Sequence, residues 1–320
     1  MIRSPVASPY NFVESLYWLK KYVTGISQQH AGLVENIPPS FILNEHIVPV
    51  CTLVFVGDIM PTANKCIRLS DPLKEFVRGG DYFVANLEGC IAGSPRSAMP
   101  TSDRLHDQKV LDILADIFPP ERTYVSVANN HAADLGGEEF FKSVELLRSR
   151  RFNVFGYREQ PFCDIGGIRI TSATQWSNRK NDFLIQIEEA KEHLKKGAFN
   201  IFYPHFGYEF EAYPRPSMID MSRRLLKNFD AVIGHHPHCP QPVCAERAPE
   251  HNQLLAYSLG NFMDIRNKDN YRQGLVLKIQ CGRGPNGRWL IGQVEWRNTQ
   301  CVPLPGGDFV VVNLCKGALR

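Results

Sequence analysis

Six short apolar runs, each followed at once by polar side chains, constrain the fold of this 320-residue chain more than any other feature. The runs occupy residues 52–56, 82–85, 124–128, 200–203, 231–233 and 254–257. Their length and their β-branched or aromatic content predict buried strands. Helical patterns lie between them, at residues 72–78, 108–117, 138–149, 188–196 and 217–228. This alternation predicts an α/β fold, in which ligands bind outside the carboxyl ends of the strands.

Residues 1–50 are predicted to form an N-terminal helical appendage and linker, ahead of a main domain at residues 51–320. Phe12, Leu16, Leu19 and Val23 recur at helical spacing, which predicts an amphipathic helix over residues 11–23. Such a helix could bind a membrane surface or a partner, or it could pack on the main domain. We expect it to pack on the main domain.

The main domain is predicted to become β-rich from about residue 265. Strand patterns at residues 274–280, 289–297 and 309–313 follow one another without helices between them. Gly282, Gly284 and Gly287 form a literal GxGxxG, but the Asn286-Gly287 pair is typical of a hairpin turn and a strand follows it. The sequence therefore argues against dinucleotide binding at this point.

Composition excludes few functions. A net charge of +3 gives no support for binding nucleic acid, and no run of 18 or more apolar residues predicts a transmembrane segment. The nine cysteines form an odd set without a CxxC pair, which suits a reducing compartment. The N-terminus lacks the pattern of a signal peptide, so we expect a cytoplasmic protein. Nothing in the sequence predicts the oligomeric state.

The polar residues after the predicted strands are of the types that usually bind a catalytic metal. A divalent cation used for hydrolysis needs nitrogen and oxygen ligands on a rigid frame, with one position left for water or substrate. The candidate ligands, each placed after an apolar run, are Asp58, Glu88, Asn130, His205, His236 and His238. We expect one or two divalent ions, of Mn, Fe or Zn.

Three further residues have roles beside the candidate ligands. His131 directly follows a candidate ligand and is the candidate catalytic acid or transition-state donor. Asp134 is assigned to catalysis with it, because a carboxylate three residues away could orient the imidazole; it could equally cap the helix that follows. His235 could be a third ligand, a phosphate donor or a buried histidine bonded to backbone.

The ordered set of motifs resembles the CapA family of poly-γ-glutamate capsule biosynthesis, whose domain is similar to calcineurin-like metallophosphoesterases. The motifs are Gly57-Asp58-Ile59-Met60, Asn86-Leu87-Glu88, Ala128-Asn129-Asn130-His131 with Asp134, His205-Phe206-Gly207, Gly234-His235-His236-Pro237-His238 and Ser258-Leu259-Gly260-Asn261-Phe262.

This resemblance implies a four-layer α/β/β/α sandwich with a dinuclear site at the edge of its two sheets. It makes Asp58, Glu88 and Asn130 ligands beside a catalytic His131, and His205, His236 and His238 complete the set. Asn86, His235 and Asn261 would contact substrate or support the ligands. Met60 stands where the phosphoesterases usually have a histidine, which puts one of the two metal positions in question.

The function expected from the sequence is that of a metal-dependent hydrolase, in which metal-bound hydroxide attacks a phosphoester or amide-like bond. An anionic small molecule or polymer is the expected substrate, because the site is cationic and Arg215, Arg223 and Arg224 lie nearby in the sequence. The alternative is a non-catalytic CapA-like protein that binds an anionic polymer or a partner in capsule or poly-γ-glutamate biosynthesis.

Overall fold

The computed structural model describes residues 10–63, 65–91, 104–265, 269–306 and 309–315. Five α-helices lie in these ranges: α1 (Phe12–Thr24), α2 (Asp71–Arg78), α3 (Lys109–Ile117), α4 (Gly137–Ser149) and α5 (Pro216–Leu225). The α-helix predicted at residues 188–196 is wrong, because Ile187–His193 forms a 3₁₀ helix. The Asn200 side chain bonds both the backbone N–H and the backbone carbonyl of Lys195, which fixes a turn just beyond it.

Eighteen strands are found in the described part of the chain. In chain order they are β1 (Ser40–Ile42), β2 (Val48–Ile59), β3 (Cys66–Leu69), β4 (Tyr82–Leu87), β5 (Cys90–Ile91), β6 (Leu105–His106), β7 (Thr123–Ser126), β8 (Asn153–Phe155), β9 (Phe162–Ile165), β10 (Ile168–Thr171), β11 (Phe199–Phe202), β12 (Ala231–Ile233), β13 (Val243–Arg247), β14 (Asn252–Ala256), β15 (Asn261–Met263), β16 (Gln273–Arg283), β17 (Trp289–Pro303) and β18 (Phe309–Leu314).

The strands form two large sheets. The ten-stranded sheet has the order β3-β18-β17-β16-β2-β4-β7-β8, with β1 paired to β17 and β15 paired to β2. The six-stranded sheet has the order β13-β14-β12-β11-β10-β9. Strands β2, β4, β7 and β8 run parallel in the first sheet, and β10, β11, β12 and β14 run parallel in the second. The six predicted strands therefore lie at the parallel centres of the two sheets.

Side-chain alternation along the central strands separates three hydrophobic clusters. In β2, Leu53 and Phe55 point into the layer between the two sheets, whereas Val54 and Val56 pack with helices α2, α3 and α4. In the second sheet, Ile201 faces the same central layer, and Phe202 packs with α5 on the outer side. The order of layers is helices, sheet, sheet, helix, so the predicted α/β/β/α sandwich is confirmed.

Helix α1 packs on the main body through a face other than the one expected. The predicted apolar stripe of Phe12, Leu16, Leu19 and Val23 is exposed, with 77% of Phe12 and 66% of Val23 accessible to solvent. The inward side carries Trp18 and the buried Lys21 instead. The physical reason is that these polar and aromatic groups find specific partners in the segment after β11, which outweigh burial of the stripe.

The C-terminal strands were predicted correctly and belong to the first sheet. Strands β16 and β17 form a long antiparallel hairpin, and Gly287 adopts a positive φ of 75° at its turn. The GxGxxG pattern is therefore a hairpin turn, as predicted. Among the described residues, no helix combines the length and the apolar content needed to cross a membrane.

Candidate metal centre

The predicted site residues come together where the carboxyl ends of the parallel strands meet. In the first sheet, the strand register places Asn86 of β4 and Asn261 of β15 on either side of Asp58 of β2. The residues after β4 and β7 in the first sheet, and after β11 and β12 in the second, approach the same edge. A continuous set of side-chain contacts joins them: Asp58, Asn86, Glu88, Asn130, His131, Asp134, His205, His235, His236, His238 and Asn261.

Asp58, His205 and His235 form a compact group of ligand atoms. Nδ1 of His235 lies 2.9 Å from Oδ1 of Asp58 and 2.9 Å from Nδ1 of His205, and the remaining side of the triangle is 3.6 Å. A cation with bonds of about 2.1 Å would hold neighbouring ligand atoms about 3.0–3.4 Å apart. The three atoms therefore have a spacing that suits one ion.

A second set of ligand atoms surrounds His238. Its Nε2 lies 3.7 Å from Oε1 of Glu88 and 3.5 Å from Oε1 of Glu209. Glu209, His236 and His238 can each offer one atom within 4.8 Å of the others, and so can Asp58, Glu88 and His238. Asp58 thus belongs to groups on both sides of the cluster, a position from which one carboxylate could bridge two ions.

The side chain of Asn261 fixes which ring nitrogen of His238 is available. Nδ2 of Asn261 donates to Asp264 and to the Tyr271 carbonyl, so Oδ1 of Asn261 is the atom that faces Nδ1 of His238, at 3.0 Å. An amide oxygen only accepts, so Nδ1 of His238 donates and its Nε2 keeps the lone pair that a metal needs. Nε2 of His205 lies 2.8 Å from Oδ1 of Asn130 and 2.8 Å from Nδ1 of His236, so the predicted ligand Asn130 is in contact with two other predicted ligands.

Asp58 is held from two further directions. Nδ2 of Asn86 donates to its Oδ1 at 2.8 Å, and the backbone N–H of His236 donates to its Oδ2 at 3.0 Å. Gly57 allows the backbone at Gly260 to lie against the end of β2, because a Cβ at position 57 would lie 2.0 Å from the carbonyl oxygen of Gly260. The loop after β12 is also strained, since His236 adopts φ 106° and His238 φ 57°.

Buried polar atoms without hydrogen bonds provide the test of whether a cation fits this site. Within the described ranges, neither carboxylate oxygen of Glu88 has a hydrogen-bond partner, nor does Nε2 of His236. Leaving such atoms buried and unsatisfied costs about 1–3 kcal/mol each, and more for a charged group. A divalent cation would satisfy them, so the residues present fit the metal that the sequence predicts.

The pKa shifts in the cluster favour protonation states that bind cations. Burial lowers the pKa of His236 well below its ordinary value, and the neighbouring His205 and His238 lower it further. Burial also lowers the pKa of His235, against the opposing effect of Asp58. Burial alone would raise the pKa of Asp58, but His235 and His205 hold it well below its usual range. Neutral imidazoles beside an ionised carboxylate are the forms that ligate metals.

His131 lies at the edge of the cluster and is held by Asp134. Its Nδ1 is 2.5 Å from Oδ2 of Asp134, and its Nε2 is 3.8 Å from Oε1 of Glu88. Asp134 does not cap α4, whose N-cap is Gly136. Of the two roles open to Asp134 from the sequence, the structure therefore shows the contact with His131. Asn178 also approaches the ring, with Nδ2 at 3.1 Å from Nδ1.

Glu209 and Arg104 were missed by the sequence interpretation. Glu209 follows no strand, and its position four residues after His205 was the signal that could have identified it. Arg104 has its Nε 3.7 Å from Oε1 of Glu88, and its side chain is 23% exposed. Arg104 does not follow an apolar run, so the strand-end pattern could not identify it.

Two of the three arginines suggested for an anionic substrate, Arg215 and Arg223, pair with carboxylates away from the site. Arg215 pairs with Glu14 and Glu211, and Arg223 pairs with Glu246 on the surface. These two arginines therefore give no support for an anionic substrate at this site. Glu14 lies on α1 and Glu246 on β13, both far along the chain from the arginines that they contact, so no pattern in the sequence indicated these pairs.

The order of layers and the cluster at the strand ends define a four-layer α/β protein with a candidate metal centre between its sheets. The sequence matches the family described as bacterial capsule synthesis protein PGA_cap over residues 52–162 and 166–265. The chain belongs to this family, which confirms the resemblance to CapA proteins drawn from the motifs. Helix α1 and strands β16 to β18 lie outside the matched residues. No curated protein sequence matches the chain significantly.

Similar solved structures are distant in sequence. A hypothetical protein from Thermus thermophilus shares 17% identity over 76% of this chain and 98% of its own, with a TM-score of 0.45. A putative 5'-nucleotidase from Staphylococcus aureus shares 13% identity over 77% of this chain and 54% of its own, also with a TM-score of 0.45. Vps29 from Chaetomium thermophilum shares 9% identity over 78% of this chain and 97% of its own, with a TM-score of 0.29.

Proposed function

We propose that this chain is a metal-dependent hydrolase acting on a phosphoester or amide-like bond of an anionic substrate. One observation carries the proposal: Asp58, His205 and His235 hold three ligand atoms 2.9–3.6 Å apart, beside a Glu88 carboxylate with no hydrogen-bond partner among the described residues. A bound divalent cation would lower the pKa of its water to about 7 and polarise the bond to be broken. Family membership and the resemblance to phosphoesterases support the same chemistry.

The protein's own residues supply binding and proton transfer. Asp58, His205 and His235 would hold one ion. The ligands of a second ion would be Glu88, Glu209, His236 and His238. His131 can deliver a proton from Nε2 to the leaving group, because Asp134 holds the opposite nitrogen and stabilises the charged ring.

Arg104 supplies the positive charge that an anionic substrate needs at this edge. Its guanidinium lies beside Glu88, with Nε 3.7 Å from Oε1, and the side chain is 23% exposed, so part of it can face a substrate. A guanidinium binds phosphate or carboxylate oxygens in a bidentate manner. Arg104 thus takes the role first suggested for Arg215, Arg223 and Arg224.

The test is the metal content of the purified protein together with turnover of a panel of substrates. The panel contains a phosphomonoester, a phosphodiester and a γ-glutamyl peptide, each assayed with Mn²⁺, Fe²⁺ or Zn²⁺ after chelation. We expect metal-dependent turnover of one class, and its loss in the variant His235→Ala but not in His46→Ala, a histidine exposed on the surface. Metal binding without turnover of any class would favour the non-catalytic CapA-like alternative. Absence of metal binding would contradict the hydrolase and leave the non-catalytic alternative.

A further inference from the structure

We infer that Trp18 of helix α1 is a positioning residue of the metal centre, which orients the Glu209 carboxylate toward the ligands around His238. This inference rests on the proposed function, since it concerns the same cations. Trp18 lies outside the residues matched by the family, and it precedes Glu209 by 191 positions in the chain. The N-terminal helix is then part of the centre and not an appendage.

The contact between the two side chains divides the roles of the carboxylate oxygens. The indole Nε1–H of Trp18 donates to Oε2 of Glu209. The other oxygen, Oε1, lies 3.5 Å from Nε2 of His238. An indole N–H can only donate, so it binds one oxygen as an acceptor and leaves the other directed at the cluster. This is how partners outside the ligand set orient ligands in metal sites.

The backbone of Glu209 is held by the same N-terminal segment. Its N–H donates to the hydroxyl of Tyr10 at 2.9 Å. Phe210, the next residue, has a positive φ of 60° and its ring lies 5.8 Å from that of Trp18. Glu209 lies in a loop without strand pairing of its own, so these contacts replace the rigidity that strand ends give to the other ligands.

Helix α1 is anchored firmly enough to position a ligand. Nζ of Lys21 lies 2.5 Å from Oε1 of Glu211 in a buried ion pair. Arg215 binds Glu14 through two hydrogen bonds of 2.8 and 2.9 Å and also binds Glu211. The hydroxyl of Tyr271 donates to the Lys21 and Tyr22 carbonyls at the end of the helix. The anchors lie on both sides of Trp18.

The charge of the ligand set explains why such an anchor is useful. Glu209 is 9% exposed, and burial alone would raise its pKa, but its neighbours, chiefly His238, keep that pKa below the ordinary value. A neutral donor at Oε2 stabilises the ionised carboxylate without competing for the oxygen that faces the histidines. A lysine or arginine at position 18 would instead repel a cation.

The test compares cation binding by the full-length, metal-free protein in two variants. Trp18→Phe keeps an aromatic ring against Tyr22 and Phe210 but removes the donor. Glu209→Gln removes the ligand charge. The matched control is Trp296→Phe, which also removes an indole N–H, one that donates to the Ile37 carbonyl away from the site. Binding of Mn²⁺ is measured by calorimetry and by electron paramagnetic resonance, and thermal unfolding of each metal-free variant checks the fold.

We expect Trp18→Phe to weaken Mn²⁺ binding at one of the two sites, the one around His238, by about 10–100-fold, which is the range for residues that orient ligands. Glu209→Gln should weaken binding at the same site, and the double variant should be no weaker than Glu209→Gln alone, because both changes act through one carboxylate. Trp296→Phe should bind as the unmodified protein does.

Two results would overturn the inference. If Glu209→Gln weakens Mn²⁺ binding and Trp18→Phe does not, Trp18 is merely structural, and the proposed function stands. If neither variant changes binding while His235→Ala abolishes it, Glu209 is not a ligand, and the proposed function still stands with one ion. Failure of the proposed function has a different signature, which is unchanged binding in His235→Ala itself.

Discussion

Oδ1 of Asp58 lies 2.9 Å from Nδ1 of His235, so the end of β2 in one sheet meets the turn after β12 in the other. Both side chains are fully buried. The contact closes the edge of the sandwich where the strands of both sheets end, and it places one carboxylate between the two sets of ligands. Asp58 is consequently the residue on which both candidate ion positions depend.

Replacing Asp58 by Asn tests this dependence. Asparagine has nearly the same shape, so the fold should be retained, but the negative charge and one ligand oxygen are lost. We expect the metal content of the purified protein to fall about 10-fold or more, by comparison with the 10–100-fold effects of residues that only support ligands. Elemental analysis by mass spectrometry measures this. The control is Asp116→Asn on the exposed side of α3, and equal metal content in the two variants would contradict the assignment.

Replacing His131 by Gln separates catalysis from metal binding. Its ring makes a contact with Asp134 and stands 3.8 Å from Glu88, so the ligands should keep their geometry without it. We expect the metal content to be unchanged and kcat to fall about 10²–10⁴-fold on whichever substrate the panel identifies, the usual contribution of a general acid. Asp134→Asn should reduce kcat by a smaller factor. Unchanged kcat in His131→Gln would remove its catalytic role.

The sequence predicted the strand-end residues well because parallel strands impose a simple rule. An apolar run of β-branched residues followed by glycine or a polar residue marks where a central strand ends, and parallel strands end at one edge. Asp58, Glu88, His205 and His236 could be found in this way without knowing which strands are neighbours. The order of the four layers was predicted from the family resemblance. The alternation of side chains along β2 explains it, because one face of the strand packs on the second sheet and the other on the helices.

Residues that reach the site from outside this pattern could not be predicted. Glu209 lies in a loop, and Trp18 comes from a helix whose obvious apolar face points away from the protein. Hydrophobic periodicity identified α1 but gave the wrong packing face, because a buried Lys21–Glu211 pair and an indole hydrogen bond determine the docking. Such pairs depend on distance in space, about which a pattern along the chain carries no information.

The stability of the metal-free protein should decrease as the pH falls below about 6.5. Burial lowers the pKa of His106 to about 4, whereas a histidine in the unfolded chain has a pKa of about 6.5. Between these values the unfolded chain binds more protons, so the free energy of unfolding decreases as the pH falls and levels off below about 4. This one group should contribute about 3 kcal/mol to the change, and His235 and His236, whose pKa values are also lowered, act in the same direction.

His106→Gln isolates this contribution. The amide of glutamine can replace Nε2 of His106, which bonds the Glu88 carbonyl at 2.9 Å, and it does not titrate. Urea unfolding at pH 7 and pH 4.5, with chelator present, should show a smaller loss of stability in the variant. The exposed His46→Gln serves as the control and should follow the unmodified protein. Equal losses in all three proteins would contradict the buried, neutral state of His106.

Glycine substitutions test the strain in the loop that carries the histidines. His236 has φ 106°, a conformation that side chains other than glycine adopt at a cost of about 1–3 kcal/mol, whereas His235 beside it has a negative φ. In the metal-free protein we expect His236→Gly to be more stable than His236→Ala by about 1 kcal/mol. At position 235 the order should reverse, because glycine there adds only unfolded-state entropy, at about 0.5–1 kcal/mol. Urea unfolding of the four variants measures both differences. If alanine were more stable than glycine at position 236 as well as at 235, the backbone of His236 would not be strained.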